Sequence, residues 1–175
     1  MGIISASVKG NQHLPLRDCL GRVLAQDIVS PLDVPPHDNS AMDGFAFHSA
    51  ALANCNDGDG IVELSVVGKA LAGAAWQGIV GAGECVAITT GAVMPLGCDT
   101  VVPSELGSTV ASAANSKSNI RFPHKSLFAG DNRRLAGEDI AKGAVALLRG
   151  SIVSPAALGL AASLGQATVP VFRRL

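Results

Sequence analysis

From Gly44 to about Ile120 the chain is written in short apolar runs cut at close intervals by glycine, and this limits its folding more than any other feature. Gly44-Phe45-Ala46-Phe47, Ile61 to Gly68, Glu84 to Ile88, Thr100 to Pro103 and Thr109 to Ala111 each read as a strand. Asn54 to Gly60 reads as a hairpin-like connection, and Ala111 to Asn119 as an exposed loop. No window here carries the 3.6-residue period of a helix, so this stretch predicts a compact β unit.

Helix signals stand at the two ends. Leu14 to Gly21 places Leu16, Cys19 and Leu20 at i, i+3, i+4 behind Pro15 and predicts a short two-turn helix, while residues 1–12 carry weak signals and read as a frayed end. Arg22 to Val29 reads as a strand closed by Ser30-Pro31, and Val145 to Leu148 as another. Ser154-Pro155-Ala156 opens a helix that Gly165 stops, and Ala167 to Arg174 reads as an outgoing strand. The split predicts an α+β, mainly β chain. Residues 1–43 plus 140–175 form an elongated, discontinuous domain around an inserted β-barrel- or β-roll-like domain of 44–139.

Net charge is -1 with only 15% charged residues, which gives no footprint for nucleic-acid phosphates. Cys19, Cys55, Cys85 and Cys98 lie far apart, without C-x-x-C or metal-ligand spacing, and are expected as reduced, buried thiols in a cytoplasmic protein. There is no signal-peptide pattern and no apolar run near the ~20 residues of a membrane span, so a soluble protein with no membrane partner is expected. Trp76 and the five phenylalanines are expected in the core. His13, His37, His48 and His124 stand singly and read as surface or hydrogen-bonded residues.

Three polar segments carry possible chemistry. Pro35-Pro36-His37-Asp38-Asn39-Ser40-Ala41-Met42-Asp43-Gly44 is too proline-rich for a helix, and its Asx and hydroxyl groups stiffen a loop. Such a loop suits a phosphate, metal or sugar; a capped interdomain turn has the same letters. Ile88-Thr89-Thr90-Gly91 ends a strand in hydroxyls and glycine, which can hold an oxyanion or simply form a solvated turn. Between Gly130 and Gly143, Arg133, Arg134, Glu138 and Asp139 suit phosphate and Mg2+, or else plain surface ion pairs.

Taken together, these segments resemble the N-terminal half of the molybdopterin molybdenumtransferase family, the MoeA-type enzymes and the matching domain of gephyrin. The resemblance runs through Leu20-Gly21-Arg22-Val23-Leu24-Ala25 and Ser30-Pro31-Leu32-Asp33-Val34-Pro35-Pro36, and is most specific at Asp38 to Gly44. It resumes at Thr90-Gly91-Ala92, at Pro95 to Val102 with Glu105, at Asn132-Arg133-Arg134 with Gly137-Glu138-Asp139-Ile140, and at Leu158 to Gly165. Phe45 stands where tyrosine is common, Asp131 where glutamate is, and Pro103-Ser104 where a bulkier pair is usual.

The resemblance implies an enzyme that inserts molybdate into adenylylated molybdopterin with Mg2+, releasing AMP and the molybdenum cofactor. It implies a homodimer formed largely through the first domain, with the inserted domain as one wall of the active-site cleft. The third, α/β domain, which holds most pterin and molybdate contacts in the family, is absent from this chain, so the chain alone is expected to be inactive. Carried over, the catalytic positions are Asp43, Thr90 and Asp139, with Asp43 and Asp139 toward Mg2+; Asn39, Ser40, Gly91, Arg134 and Glu138 are substrate-binding. The competing function is a non-catalytic dimerisation or ligand-binding module.

Overall fold

The computed structural model describes residues 10–53, 60–111 and 118–174, and among them the chain is α+β and mainly β. It separates into two compact units, one holding the chain up to Val34 and from Asp139 onward, the other Pro35–Glu138.

In the discontinuous unit, β1 (Asn11–Pro15) pairs antiparallel with the last strand of the chain, Thr168–Phe172, and β2 (Ile28–Val29) pairs with Val145–Leu147. The helix expected over Leu14 to Gly21 is not formed. Leu14 lies opposite Val169 in β1, only Leu16–Asp18 makes a 3-10 turn, and the Leu16 N–H donates to the Ala167 carbonyl at 3.0 Å. Pro15 lacks a donor, and a strand partner some 150 residues away outbids the local apolar spacing. The same pairing makes a strand of residues 11 and 12, which the sequence left in a frayed end.

The helix Pro155–Ser163 does form behind Ser154, whose Oγ accepts the Ala157 N–H at 3.1 Å. Gly165, at φ +75°, takes the left-handed conformation that ends it. Its buried Ala157 and Ala161 pack with Cys19, Leu24, Ile28, Val153, Leu164, Val169 and Val171. Ser154→Ala should cost about 1 kcal/mol, the usual value of an N-cap, read as a lowered denaturant midpoint with unchanged slope.

The Pro35–Glu138 unit is built on a six-stranded sheet. In chain order its strands are β4 (Gly44–Phe47), β5 (Ile61–Ala70), β6 (Glu84–Ile88), β7 (Thr100–Pro103), β8 (Ser108–Ala111) and β9 (Ser118–Pro123), following the short β3 (Asn39–Ser40) outside it. Their spatial order is β7-β4-β6-β5-β9-β8, antiparallel except for β5 beside β6. Neighbouring residues go to opposite faces. Ala46, Val86 and Val101 enter one apolar cluster, while Phe47, Cys85 and Val102 enter another with Ile120 and Phe122, so the middle strands are covered on both sides. A helix sequence reasoning missed, α1 (Ala50–Ala53), follows β4.

Of the residues expected in the core, Phe47 and Phe122 are buried and Trp76 is half-buried across Gly68, but Phe128 is 77% exposed. The Phe128 N–H donates to Asp131 Oδ2 at 2.7 Å and Asp131 donates back to the Phe128 carbonyl, which puts Phe128 at the corner of an Asx-stabilised turn. Cys19 and Cys85 are buried and Cys98 half-buried, all free thiols; Cys55, with residues 54–59 and 112–117 of the two expected connections, lies outside the described residues. Burial pushes the Cys85 and Cys98 thiols up to about 12, so they stay protonated at neutral pH. No helix among the described residues is long and apolar enough to cross a membrane.

Candidate functional site

Two backbone pairings gather the polar segments of the Pro35–Glu138 unit around β3. On one side, β10 (Arg133–Arg134) runs antiparallel to it, Arg133 opposite Ser40 and Arg134 opposite Asn39. On the other, Asn39 bridges Val93, the Ser40 N–H donates to the Ala92 carbonyl at 3.0 Å, and the Gly91 N–H donates to the Ser40 carbonyl at 2.9 Å. Residues some 50 and 90 positions downstream are thus laid along the same two-residue strand.

Asp43 is the centre of the arrangement. Its Oδ1 accepts both the Thr90 N–H at 2.6 Å and the Thr90 Oγ1–H at 2.8 Å. The Thr90 backbone N–H, then its hydroxyl, hold the carboxyl below the usual aspartate range, because both bonds favour the ionised form. Oδ2 takes no hydrogen bond from a described residue, and the side chain is exposed. Gly91, at φ +78°, supplies the left-handed turn that brings Thr90 back to the loop.

The other predicted residues have different surroundings. Ser40 is buried, and its hydroxyl donates to the Met42 carbonyl and accepts the Met42 N–H, so it shapes the loop that carries Asp43. Asn39 Nδ2 donates to the His37 carbonyl at 3.3 Å. Arg134 pairs with Glu138, whose second oxygen accepts the Leu135 N–H at 2.8 Å. Asp139 lies in the other unit, exposed, its N–H donating to the Val34 carbonyl at 3.0 Å. The structure therefore brings Asp43, Thr90, Gly91, Asn39, Ser40, Arg134 and Glu138 into one unit.

Asp38 and Asn132 were not singled out as site residues, yet they hold the loop together with Arg133, whose guanidinium was expected toward phosphate and instead grips Asp38. Asp38 Oδ1 accepts the Ala136 N–H at 2.8 Å, and Oδ2 receives Nε and Nη2 of Arg133. The Ala136 N–H, followed by the Arg133 side chain, lowers the Asp38 carboxyl from its ordinary value. The available sequence signal was the Asp-Asn-Ser cluster facing an Arg-Arg pair, letters that surface ion pairs share.

Asp99 is a third depressed carboxyl: burial raises it, but this is outweighed by the Ser49 hydroxyl and N–H at 2.7 Å each and by the Thr100 hydroxyl. For all three the folded pKa lies below the unfolded one, although solvent screening at the exposed Asp43 leaves the stability effect to Asp38 and Asp99. Their stabilisation is therefore complete above the unfolded value near ~3.9 and is lost as pH falls through the folded values. Urea midpoints should be flat from neutral pH to about pH 5 and fall steeply below about pH 4, and Asp38→Asn should soften the fall.

These features coincide with a family match over almost the whole chain. The sequence profile described as MoeA N-terminal region (domain I and II) matches residues 2–165. The chain belongs to this family. It is similar to a molybdopterin molybdenumtransferase of Haemophilus influenzae, 36% identical over 94% of this chain and 38% of that protein. It is also similar to a molybdopterin molybdenumtransferase of Bacillus subtilis, 38% identical over 93% of this chain and 37% of that protein. The solved structure of a molybdopterin biosynthesis MoeA protein from Pyrococcus horikoshii superposes with a TM-score of 0.79 at 31% identity, over 93% of this chain and 41% of that one. The chain spans about two-fifths of the length of the relatives it matches. A MoeA N-terminal region here thus carries its loop carboxylate already braced by a threonine from a neighbouring turn.

Proposed function

We propose that this chain is the N-terminal part of a molybdopterin molybdenumtransferase, supplying one wall of a site where molybdate is inserted into adenylylated molybdopterin with release of AMP. The supporting observation is the Asp43–Thr90 pair: a carboxylate fixed through one oxygen, kept ionised, with the other oxygen outward on an exposed loop. Thr90 commits both its donors to Asp43, so its role is to orient that carboxylate. Arg134 lies one strand away along β3 and offers guanidinium donors for phosphate oxygens, with Glu138 setting its direction.

Mg2+ fits as an ion shared with substrate. Among the described residues no group of three or more His, Cys, Asp or Glu side chains converges to hold a metal, whereas Mg2+ commonly binds one or two carboxylates, waters and substrate phosphates. Asp43, through Oδ2, would hold it together with waters and substrate oxygens, and it would neutralise phosphate charge. Without such an ion, an ionised Asp43 repels a bare phosphate.

The discontinuous unit is assigned to homodimerisation, supported by Ile152, Leu148 and Leu20 at 66, 63 and 55% exposure in that unit. Only monomer by light scattering at micromolar concentration would count against this assignment. The functional test is a chimera in which this chain replaces the matching N-terminal stretch of the Bacillus subtilis transferase. The chimera should release AMP and insert molybdenum. A folded chimera inert in both assays would favour a non-catalytic binding module.

A further inference from the structure

We propose that Asn132 is a positioning residue for Asp43, acting through the backbone of the Ser40–Asp43 loop; its importance for turnover rests on the reading of Asp43 just given. Among the described residues, Asn132 is the only non-glycine with positive φ, at +59°. Asparagine tolerates this left-handed conformation better than most residues, but holding it still requires support from the surroundings.

That support comes from both sides. The Asn132 Nδ2 donates to the Val101 carbonyl at 2.9 Å, while the preceding Asp131 carbonyl accepts the Val101 N–H at 3.0 Å. The side-chain amide thus does for the edge strand β7 what a backbone N–H does in a ladder. The kink turns the Asn132 carbonyl the other way, where it accepts the Ala41 N–H at 2.9 Å. From the next residue, Arg133 pairs with Ser40 and grips Asp38.

Ala41 is two residues before Asp43, and the intervening Met42 is fixed by the Ser40 hydroxyl. On the far side, the Asp43 carbonyl accepts the Ser104 N–H at 3.0 Å, just past the end of β7. Asp43 is therefore suspended between two anchors on the same strand, one through Ser104 and one through Asn132. A glycine at 132 meets the dihedral requirement and loses the donor; an alanine loses the donor and adds strain. Only asparagine or a close analogue meets both demands.

The test is an NMR titration of the Asp43 carboxyl in the 175-residue chain, with exchange protection of the Thr90 amide read alongside. In Asn132→Gly the fold should persist while the Asp43 titration midpoint moves up toward the ordinary carboxylate range and Thr90 N–H protection falls. Protection of the Ala157 amide, capped by the Ser154 hydroxyl in the other unit, serves as the control that should not change. Asn132→Ala should show the same Asp43 shift plus a lower melting temperature. If Asn132→Gly does not fold, Asn132→Asp, similar in size and tolerant of positive φ, takes its place.

A folded variant with wild-type Asp43 titration and Thr90 protection overturns the inference, because a purely structural role predicts lower stability without a local shift. In the chimera, the coupled outcome is a lower kcat with little change in KM. If Asp43 titration moves but Asp43→Asn turns over at the wild-type rate, the positioning role stands and the functional reading of Asp43 fails.

Discussion

Replacement of Gly44 by alanine is expected to unfold the Pro35–Glu138 unit. An added Cβ there would lie 2.0 Å from the Val102 carbonyl oxygen, 2.9 Å from its carbon and 3.0 Å from Pro103 Cα. All three are backbone atoms, so no rotamer change relieves the clash. Gly44 also sits between two strands, opposite Ile88 on one side and Pro103 on the other, so β4 cannot shift without breaking a ladder. Displacing β7 instead uncouples its pairing with β4 and disturbs Val101, where Asn132 is anchored. The expected loss is about 4 kcal/mol or more, a large share of the ~5–15 kcal/mol that stabilises a typical domain. The comparison variant is Gly130→Ala, where φ is +87° but nothing lies within 4 Å of the new Cβ, and where roughly 1 kcal/mol is expected. Similar denaturant midpoints for the two would show that close approach of β4 and β7 is not what Gly44 provides.

The parts of the fold legible in the sequence were those whose signals are local. The Ser154-Pro155 start and Gly165 stop marked their helix because capping is settled within a few residues. The runs at Ile61, Glu84 and Thr100 read as strands because short, near-continuous runs rich in valine and isoleucine suit a sheet covered on both faces. Leu14 to Gly21 misled for the complementary reason: its helical spacing is real, but Pro15 and the pairing of Leu14 with Val169 decide the outcome, and that partner is distant in the chain. Phe128 misled because hydrophobicity carries no information about a turn closed by the Asp131 carboxylate.

The site divides in the same way. The residue types were visible as polar clusters between prolines and glycines, and the family resemblance selected Asp43 and Thr90 from among them. That Thr90 turns both donors onto Asp43, and that Ser40 serves its own loop, depends on the Ala92–Ser40–Arg133 pairing, which no local spacing encodes. Asn132 was equally opaque. An asparagine after an aspartate reads as an ordinary turn until its φ and its two strand contacts are known.

Asp43→Asn, made in a transferase containing this chain, is expected to abolish most molybdenum insertion while leaving the melting temperature essentially unchanged. Asparagine is nearly isosteric, and its Oδ1 can still accept the Thr90 N–H and hydroxyl, so the loop has no reason to move. The change falls on the outward position: an anionic acceptor becomes a neutral group that cannot engage Mg2+ or its waters in the same way. A loss on the order of a hundredfold in turnover is expected, the scale of removing one preorganised electrostatic contact, together with a higher Mg2+ requirement. Thr90→Val separates orientation from charge. It keeps the N–H and removes the hydroxyl, so turnover should fall less, by roughly tenfold, while the Asp43 titration midpoint moves upward. Wild-type turnover and Mg2+ dependence in Asp43→Asn would remove Asp43 from the chemistry. A collapsed melting temperature would identify the carboxylate as a brace for the loop, with Thr90 its partner in folding.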